Sequence, residues 1–379
     1  MRQATFEDLL NLARANGFDV AAMAAGLRGP DGTVKKSALK KISVEKGMYD
    51  DARRQGQTLT EFLEEMDPSA NYPGCRLDAF QRQLAVRNLN IAGQAAATLE
   101  EWYNNPESRV LFPEFINQQV RIGMLMGRYT LRDEDLIATT TMIDSGTYQA
   151  SIVDETQEVS AGIVGQGAEM PVIALTVGET TIKLKKHGMV IKQTYEHIRR
   201  LRANKMAVFL QLVGWRMMLD KTEDAVSVLI NGDGNSNSAP VDTLGAISYD
   251  HFIDFLAEFE PYELDILAAN KTNWAAMFKI TEFKDSIIAA NFINTGRPID
   301  PFGAPVKRHD PSSAILATSI LGVNRANALE RIEEANAQLT ETEKLITSQW
   351  ENIAISQVVG YGRIIGNAAR VWDLTDDEP

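Results

Sequence analysis

The residues that could do chemistry are few and scattered. Four histidines, His187, His197, His251 and His309, show neither the H-x-x-x-H nor the H-E-x-x-H spacing that puts two imidazoles on one helical face around a metal. Each reads as an ordinary surface or half-buried residue. Cys75 is the only cysteine, so neither a disulfide within the chain nor a cysteine-cluster zinc site can form. The nearest ligand-like run is Asn231-Gly232-Asp233-Gly234-Asn235-Ser236-Asn237, where side-chain oxygens recur at alternate positions as in calcium loops. Ser236 stands where such a loop needs its central glycine, and Asp242 rather than a glutamate closes the twelfth position. The run is therefore expected to be a helix C-cap and turn. The pairs Glu64-Glu65, Glu333-Glu334 and Asp376-Asp377 lie on charged stretches with nothing specific to an acid/base dyad. No G-x-S-x-G elbow, G-x-x-x-x-G-K-[ST] loop or G-x-G-x-x-G after a strand occurs.

The expectation is a chain with no catalytic residue, no metal site and no cofactor. Two readings compete with it. One is a metal-dependent hydrolase built on Asp233, Asn235 and His251. The other is a nucleic-acid-binding module built on Arg199, Arg200 and Arg202, whose DNA affinity would fall steeply with salt.

The distribution of charge is more informative. Between Asp133 and Ile182 there is no Lys or Arg, while Asp133, Glu134, Asp135, Asp144, Asp154, Glu155, Glu158, Glu169 and Glu179 are acidic. Immediately afterwards come Lys183, Lys185, Lys186, Lys192, Arg199, Arg200, Arg202 and Lys205, with Glu196 the one acid among them. A loop that projects from the body does not easily fold back on the helix it leads into. Asp154, Glu155, Glu158 and Glu169 are therefore expected to lie over Lys185, Lys186, Arg199, Arg200, Arg202 and Lys205 of a neighbouring copy. The plainer alternative is two independently solvated charge blocks.

At 379 residues the chain is long enough for two or more sub-domains. Its 44% hydrophobic and 23% charged residues are ordinary for a folded, water-soluble protein. A net charge of -13 argues against a surface that grips nucleic acid throughout, although an acidic wall can enclose DNA without holding it. No apolar run approaches the ~20 residues of a membrane span, and the N-terminus lacks a signal peptide's apolar stretch. A cytoplasmic protein is expected.

The elements that would position these groups begin with short helices over 6–14, 35–46 and 59–66, separated by turn signals. Helical patterns continue over 78–89 and 95–103, and Leu111-Phe112-Pro113 is expected to open a helix running to about Tyr129. Thr-, Ile- and Val-rich segments at 136–143 and 148–153 suit strands. Glycines 162, 165, 167 and 178 mark a long two-stranded loop, and TIKLKKHGMVIK (181–192) resumes a strand. From Thr194 to Ile230 one helix of about 55 Å is expected, with Ile198, Leu201, Phe209, Leu212 and Val213 on its buried face. Asn231-Gly232 supplies its stop. Beyond it 249–259 and 273–290 read as helical, 264–268 and 313–318 as strands, and 328–374 as strand-rich before the acidic tail Asp376-Asp377-Glu378.

This order of parts resembles the major capsid proteins of tailed bacteriophages. The residues that carry the likeness are LFPEFINQQV (111–120), Gly-Ala-Glu-Met-Pro (167–171), TIKLKKHGMVIK running into TYEHIRR, Asn231-Gly232-Asp233-Gly234, and ILATSILGVNRANALERI (315–332). The resemblance covers about residues 75 to 375 and rests on ordered weak motifs. It implies an α+β chain of the Hong Kong 97-type capsid fold: an N-terminal helical extension over 1–74, an N-arm over 75–132, and an extended E-loop with flanking strands over 133–192. A peripheral domain with a long spine helix would take 193–240 and 325–379, and an axial α/β domain 241–324.

The resemblance further implies a homo-oligomer of hexamers and pentamers in an icosahedral shell that encloses double-stranded DNA without sequence-specific binding. Scaffold, portal and decoration proteins would be partners, a membrane would not. The shell would be assembled in the bacterial host cytoplasm and end up in the virion. Some family members crosslink through a lysine in the E-loop, but here no lysine precedes Lys183, so noncovalent interlocking is expected. Some members carry an N-terminal scaffold segment that a protease removes, and residues 1–73 are expected to be either such a segment or a permanent helical arm on the inner face. An encapsulin-type cargo shell would share the fold, but usually has a shorter arm than the 110 residues before Leu111.

Overall fold

The computed structural model describes residues 39–72, 77–91, 96–104, 106–127, 129–153, 166, 175–284, 300–310, 312–334, 339–345, 347 and 349–375. Residues 6–14, Cys75, Asp154, Glu155, Glu158, Glu169, the Gly-Ala-Glu-Met-Pro run and the acidic tail lie outside the described residues.

In chain order, helices α1 (Gly47–Arg54), α2 (Leu59–Met66), α3 (Ala79–Val86), α4 (Leu99–Asn104), α5 (Pro106–Met124) and α6 (Asp133–Leu136) come first. Strands β1 (Ile137–Ile143), β2 (Thr147–Tyr148), β3 (Ser151–Val153), β4 (Leu175–Val177), β5 (Ile182–Lys183) and β6 (Lys185–Thr194) lead into α7 (Tyr195–Arg200) and α8 (Ala203–Asn231). There follow β7 (Val241–Leu244), α9 (Tyr249–Ala257), β8 (Ile266–Ala269), α10 (Lys271–Met277), β9 (Val306–Arg308), β10 (Ser319–Val323), β11 (Leu329–Glu334), β12 (Leu339–Leu345), β13 (Trp350–Arg363) and β14 (Ala369–Asp373). The protein is thus mixed α and β.

Two compact units divide the chain, and neither is contiguous in sequence. The first comprises Met1–Leu125, Gly188–Trp215 and Gln338–Ile355; the second Met126–His187, Arg216–Ala337 and Ser356–Pro379.

The first unit is mainly helical. Its core holds Trp102, whose ring lies 5.7 Å from that of Phe112 and 5.1 Å from that of Phe115. The local signals are strong: Thr58 accepts from the backbone N–H of Glu61, whose carboxylate accepts from the backbone N–H of Thr58, a capping box that fixes the start of α2. Asp78 caps α3 by accepting from the Gln81 N–H. Arg82, fully buried, donates to the Ser69 hydroxyl and the Leu77 carbonyl, each at 2.8 Å, and to the Asp67 carbonyl. Thr60 on α2 donates to Glu114 on α5 at 2.6 Å.

The second unit is built on sheets. Strand β11 pairs parallel with β1 and antiparallel with β13. A five-stranded sheet runs β7-β14-β10-β8-β9. On it pack Phe252, Phe255 and Phe259 with Trp372, all fully or almost fully buried. A second core joins Ala225, Val226 and Leu229 of α8 to Leu321, Val323, Leu329 and Val371 of the sheets. Two short antiparallel ladders, β2 with β5 and β3 with β4, join the chain entering and leaving residues 154–174.

Several expectations are corrected. Residues 39–46 are not helical. The Gln83 side chain accepts from the Ile42 N–H and donates to the Lys40 carbonyl, and Arg87 donates to the Ile42 carbonyl, so side chains take the place of helical partners. The helix expected from Leu111 starts at Pro106, with Pro113 inside it, because Pro106 offers a first-turn position that needs no N–H. The strand expected at 313–318 is a turn, and β10 begins at Ser319. Asn273 holds the Leu316 and Ala317 carbonyls at 3.1 and 3.2 Å, which removes them from any ladder.

The long helix is interrupted at Leu201-Arg202. Leu99 N–H donates to the Leu201 carbonyl at 3.0 Å and Ala203 N–H to the Ala97 carbonyl at 2.9 Å, a bridge that pulls these residues into extended geometry. Its buried face also differs from the one expected. Ala203, Met206, Ala207, Leu210 and Val213 face the core, whereas Phe209 and Leu212 are exposed.

Candidate assembly surface

The basic residues divide between the two units. In the second, Lys185 extends from β6 so that its Nζ lies 2.8 Å from Asp224 Oδ1 on α8, while His187 Nε2 lies 3.0 Å from Asp224 Oδ2. Burial alone would raise the Asp224 carboxyl, but hydrogen bonds from His187 and Lys185 outweigh it and hold the group below its ordinary value. Lys185 thus has an acid within its own chain, 39 residues further on. Lys186 is exposed beside it.

In the first unit, Arg199, Arg200, Arg202 and Lys205 are all exposed. Arg199 Nε lies 3.9 Å from Glu100 Oε1, an exposed pair worth on the order of 0–1 kcal/mol. Along α8 the exposed positions continue as Val208, 68% exposed, Phe209, 45%, and Leu212, 50%. Between Ala203 and Leu219 the helix carries no acidic residue. Lys205, Val208, Phe209 and Leu212 sit at three- and four-residue intervals, so they share one helical face.

The acidic run has a different fate at its start. Asp133 is buried and accepts from the Tyr361 hydroxyl at 2.9 Å, with Lys221 Nζ at 3.5 Å and Arg331 at 3.7 Å. Burial, then the Asp133 carboxylate, push the Tyr361 phenol well above its ordinary value. Asp135 lies 3.9 Å from Lys307. These two carboxylates belong to the body of the second unit.

The calcium-like run is an internal brace. Asp233 accepts from Asn235 through Oδ1 and from the Arg363 N–H through Oδ2 at 3.0 Å. Asn235 Oδ1 accepts from the Thr180 N–H at 2.8 Å, and the Arg363 guanidinium donates to the Leu229 and Asn237 carbonyls. Gly232 and Gly234 take φ of 81° and 99°, the left-handed backbone that a helix stop of this kind needs. His251 meets the Ala246 carbonyl at 2.8 Å. Among the described residues no group of three His, Cys, Asp or Glu side chains is placed to hold a metal ion.

Sequence reasoning missed Asp224, Asp133 and Arg363 as structural partners. Each acts across more than thirty residues, and no spacing rule reaches that far.

No protein-family model matches the chain, and no curated protein matches it. Solved structures do. The capsid of the Cyanophage P-SCSP1u is 12% identical with a TM-score of 0.45, covering 66% of this chain and 90% of that one. A structure from Microbacterium phage Oxtober96 is 10% identical with a TM-score of 0.46, covering 66% and 93%. The holo-SrpI encapsulin complex from Synechococcus elongatus is 11% identical with a TM-score of 0.42, covering 62% and 84%. The solved structures that the chain is similar to are mostly capsids of phages and related particles.

Proposed function

We propose that this chain is a shell-building subunit, the major capsid protein of a tailed bacteriophage, which packs against copies of itself and has no catalytic role. Hexamers and pentamers of it would close an icosahedral shell around double-stranded DNA. Scaffold, portal and decoration proteins would act on that shell. In this reading residues 133–192 are the extended E-loop with its flanks, α8 is the spine helix, and residues 241–324, with β7, β8, β9, β10, α9 and α10, are the axial domain, whose sheet takes one strand, β14, from the returning segment 325–379.

The observation that carries the reading is the outer face of α8. Val208, Phe209 and Leu212 stand exposed beside Lys205 on a helix whose other apolar residues are buried or half-buried. A contiguous apolar face of this kind, rimmed by one sign of charge, is a feature of surfaces that meet a partner. The acids at Asp154, Glu155, Glu158 and Glu169 are of the complementary sign, and a second copy brings both halves. Lys185, Lys186, Arg199, Arg200, Arg202 and Lys205 are the cations they would meet.

Sedimentation of the full chain beside its Arg200→Glu and Phe209→Asp variants tests this. Both substitutions fall on exposed positions, so the subunit is expected to stay folded by circular dichroism while assembly is lost. Normal assembly of both variants would overturn the interlocking.

A further inference from the structure

We propose that His309, Glu223 and Asp310 form a proton-operated catch inside the second unit: on acidification His309 becomes charged, competes with Ser312 and Ser313 for the two carboxylates, and frees the turn after β9 from α8.

The turn is held by those carboxylates. Asp310 Oδ1 accepts from the Ser312 N–H at 2.9 Å and from its hydroxyl at 2.7 Å. Glu223 Oε1, on α8, accepts from the Ser313 hydroxyl at 3.0 Å. The Ser313 oxygen in turn accepts from the Ile315 N–H at 3.3 Å. His309 sits at the root of this turn, its backbone N–H bonded to the Ala269 carbonyl of β8 at 2.8 Å.

The His309 ring is 1% exposed, and neither ring nitrogen has a hydrogen-bond partner. A neutral imidazole without partners is a tolerable core group, whereas a charged one at the same place needs an acceptor. The carboxylates whose charge acts on it are those of Glu223 and Asp310, the two that hold the serines. Burial lowers the His309 value, while Glu223 and Asp310 oppose that fall.

The surrounding charges set the threshold. On Asp220 of α8 act the charges of Glu223 and Arg216 from the same helix, of Asp310 from the turn and of His187 from β6. His187 is itself bonded to Asp224, which Lys185 also holds. Burial first, with Glu223 and Asp310 adding to it, raises the Asp220 carboxyl against the opposing pull of His187 and Arg216.

The sign follows. A histidine whose value is depressed in the folded turn favours that turn while neutral. The favour is present above the free value of about 6.5 and lost as pH falls below it.

Hydrogen exchange on the full chain, corrected for the intrinsic rate at each pH, tests the catch. The amides of Ser312 and Ile315 are expected to lose about tenfold in protection between pH 7.5 and 5.5, while α8 is unchanged. His309→Gln, which cannot take the proton, is expected to remove that response. The same response in His309→Gln would overturn the proposal. Should that variant fail to fold, Glu223→Gln and Ser313→Ala serve: the first is expected to shrink the pH response, the second to open the turn already at pH 7.5. Wild-type behaviour in both would overturn it.

Discussion

Gly123 and Gly214 each face the other helix's backbone where α5 meets α8. A Cβ on Gly123 would lie 2.0 Å from the Gln211 carbonyl oxygen, and one on Gly214 would lie 2.0 Å from that of Val120. The side-chain bond from Gln211 to Gln119, at 3.0 Å, spans the same crossing. Backbone cannot yield as a flexible side chain does, so Gly123→Ala or Gly214→Ala should cost about 3 kcal/mol or more. The midpoint of urea unfolding measures it; a shift below about 0.5 kcal/mol would mean that the two helices part without cost.

Asp133 is the acceptor on which Tyr361, Lys221 and Arg331 converge. Asp133→Ala should destabilise by about 3–5 kcal/mol, because it leaves a buried lysine without its acid. Tyr361→Phe removes one hydrogen bond to a charge and should cost about 1.5–3 kcal/mol. Guanidinium unfolding ranks the two, and the reverse order would contradict this assignment.

Asp78 caps α3 from a half-buried position, and the loss of solvent there pushes its carboxyl up to about 6. Its folded value stands above the unfolded one, so the folded state holds the proton more tightly. The contribution is complete below pH ~4 and is lost as pH rises through about 6, a slope of up to 1.36 kcal/mol per pH unit. Asp78→Asn keeps a capping oxygen and cannot ionise. It should flatten stability between pH 4 and 6 and raise the melting temperature at pH 7.5; a lower melting temperature there would show that the charge is needed.

The Asp233 oxygens are occupied by Asn235 and by the Arg363 N–H. Millimolar calcium or EDTA should therefore leave the melting temperature within about 1 °C, while Asp233→Ala should cost ~1–3 kcal/mol through the donors it strands. A calcium-dependent rise of several degrees in differential scanning calorimetry would restore the metal reading.

Much of the local architecture was legible in the sequence. Leu59–Met66 matches its expected span because Thr58 and Glu61 settle the helix start between themselves, and Asn231-Gly232 ends α8 through backbone geometry that glycine permits. What periodicity could not settle was the choice among apolar faces. α8 carries more apolar residues than one stripe can bury, and the core took Ala203, Met206, Leu210 and Val213, leaving Phe209 and Leu212 outside. The break at Leu201 was hidden because its cause, pairing with Ala97 and Leu99, comes from a hundred residues earlier. For the charged surface, the composition of each block was plain, yet the acid for Lys185 lies on α8 at Asp224 and the first acid of the loop, Asp133, lies in the core. Both are long-range pairings that no window of sequence contains.

The most direct test of self-assembly is negative-stain electron microscopy of the purified full chain with a sizing column across a range of concentrations. Closed polyhedral shells, rings or capsomer-sized oligomers are predicted, and a shell's contents would then separate a DNA container from a cargo shell. A strictly monomeric protein at every concentration would contradict the account.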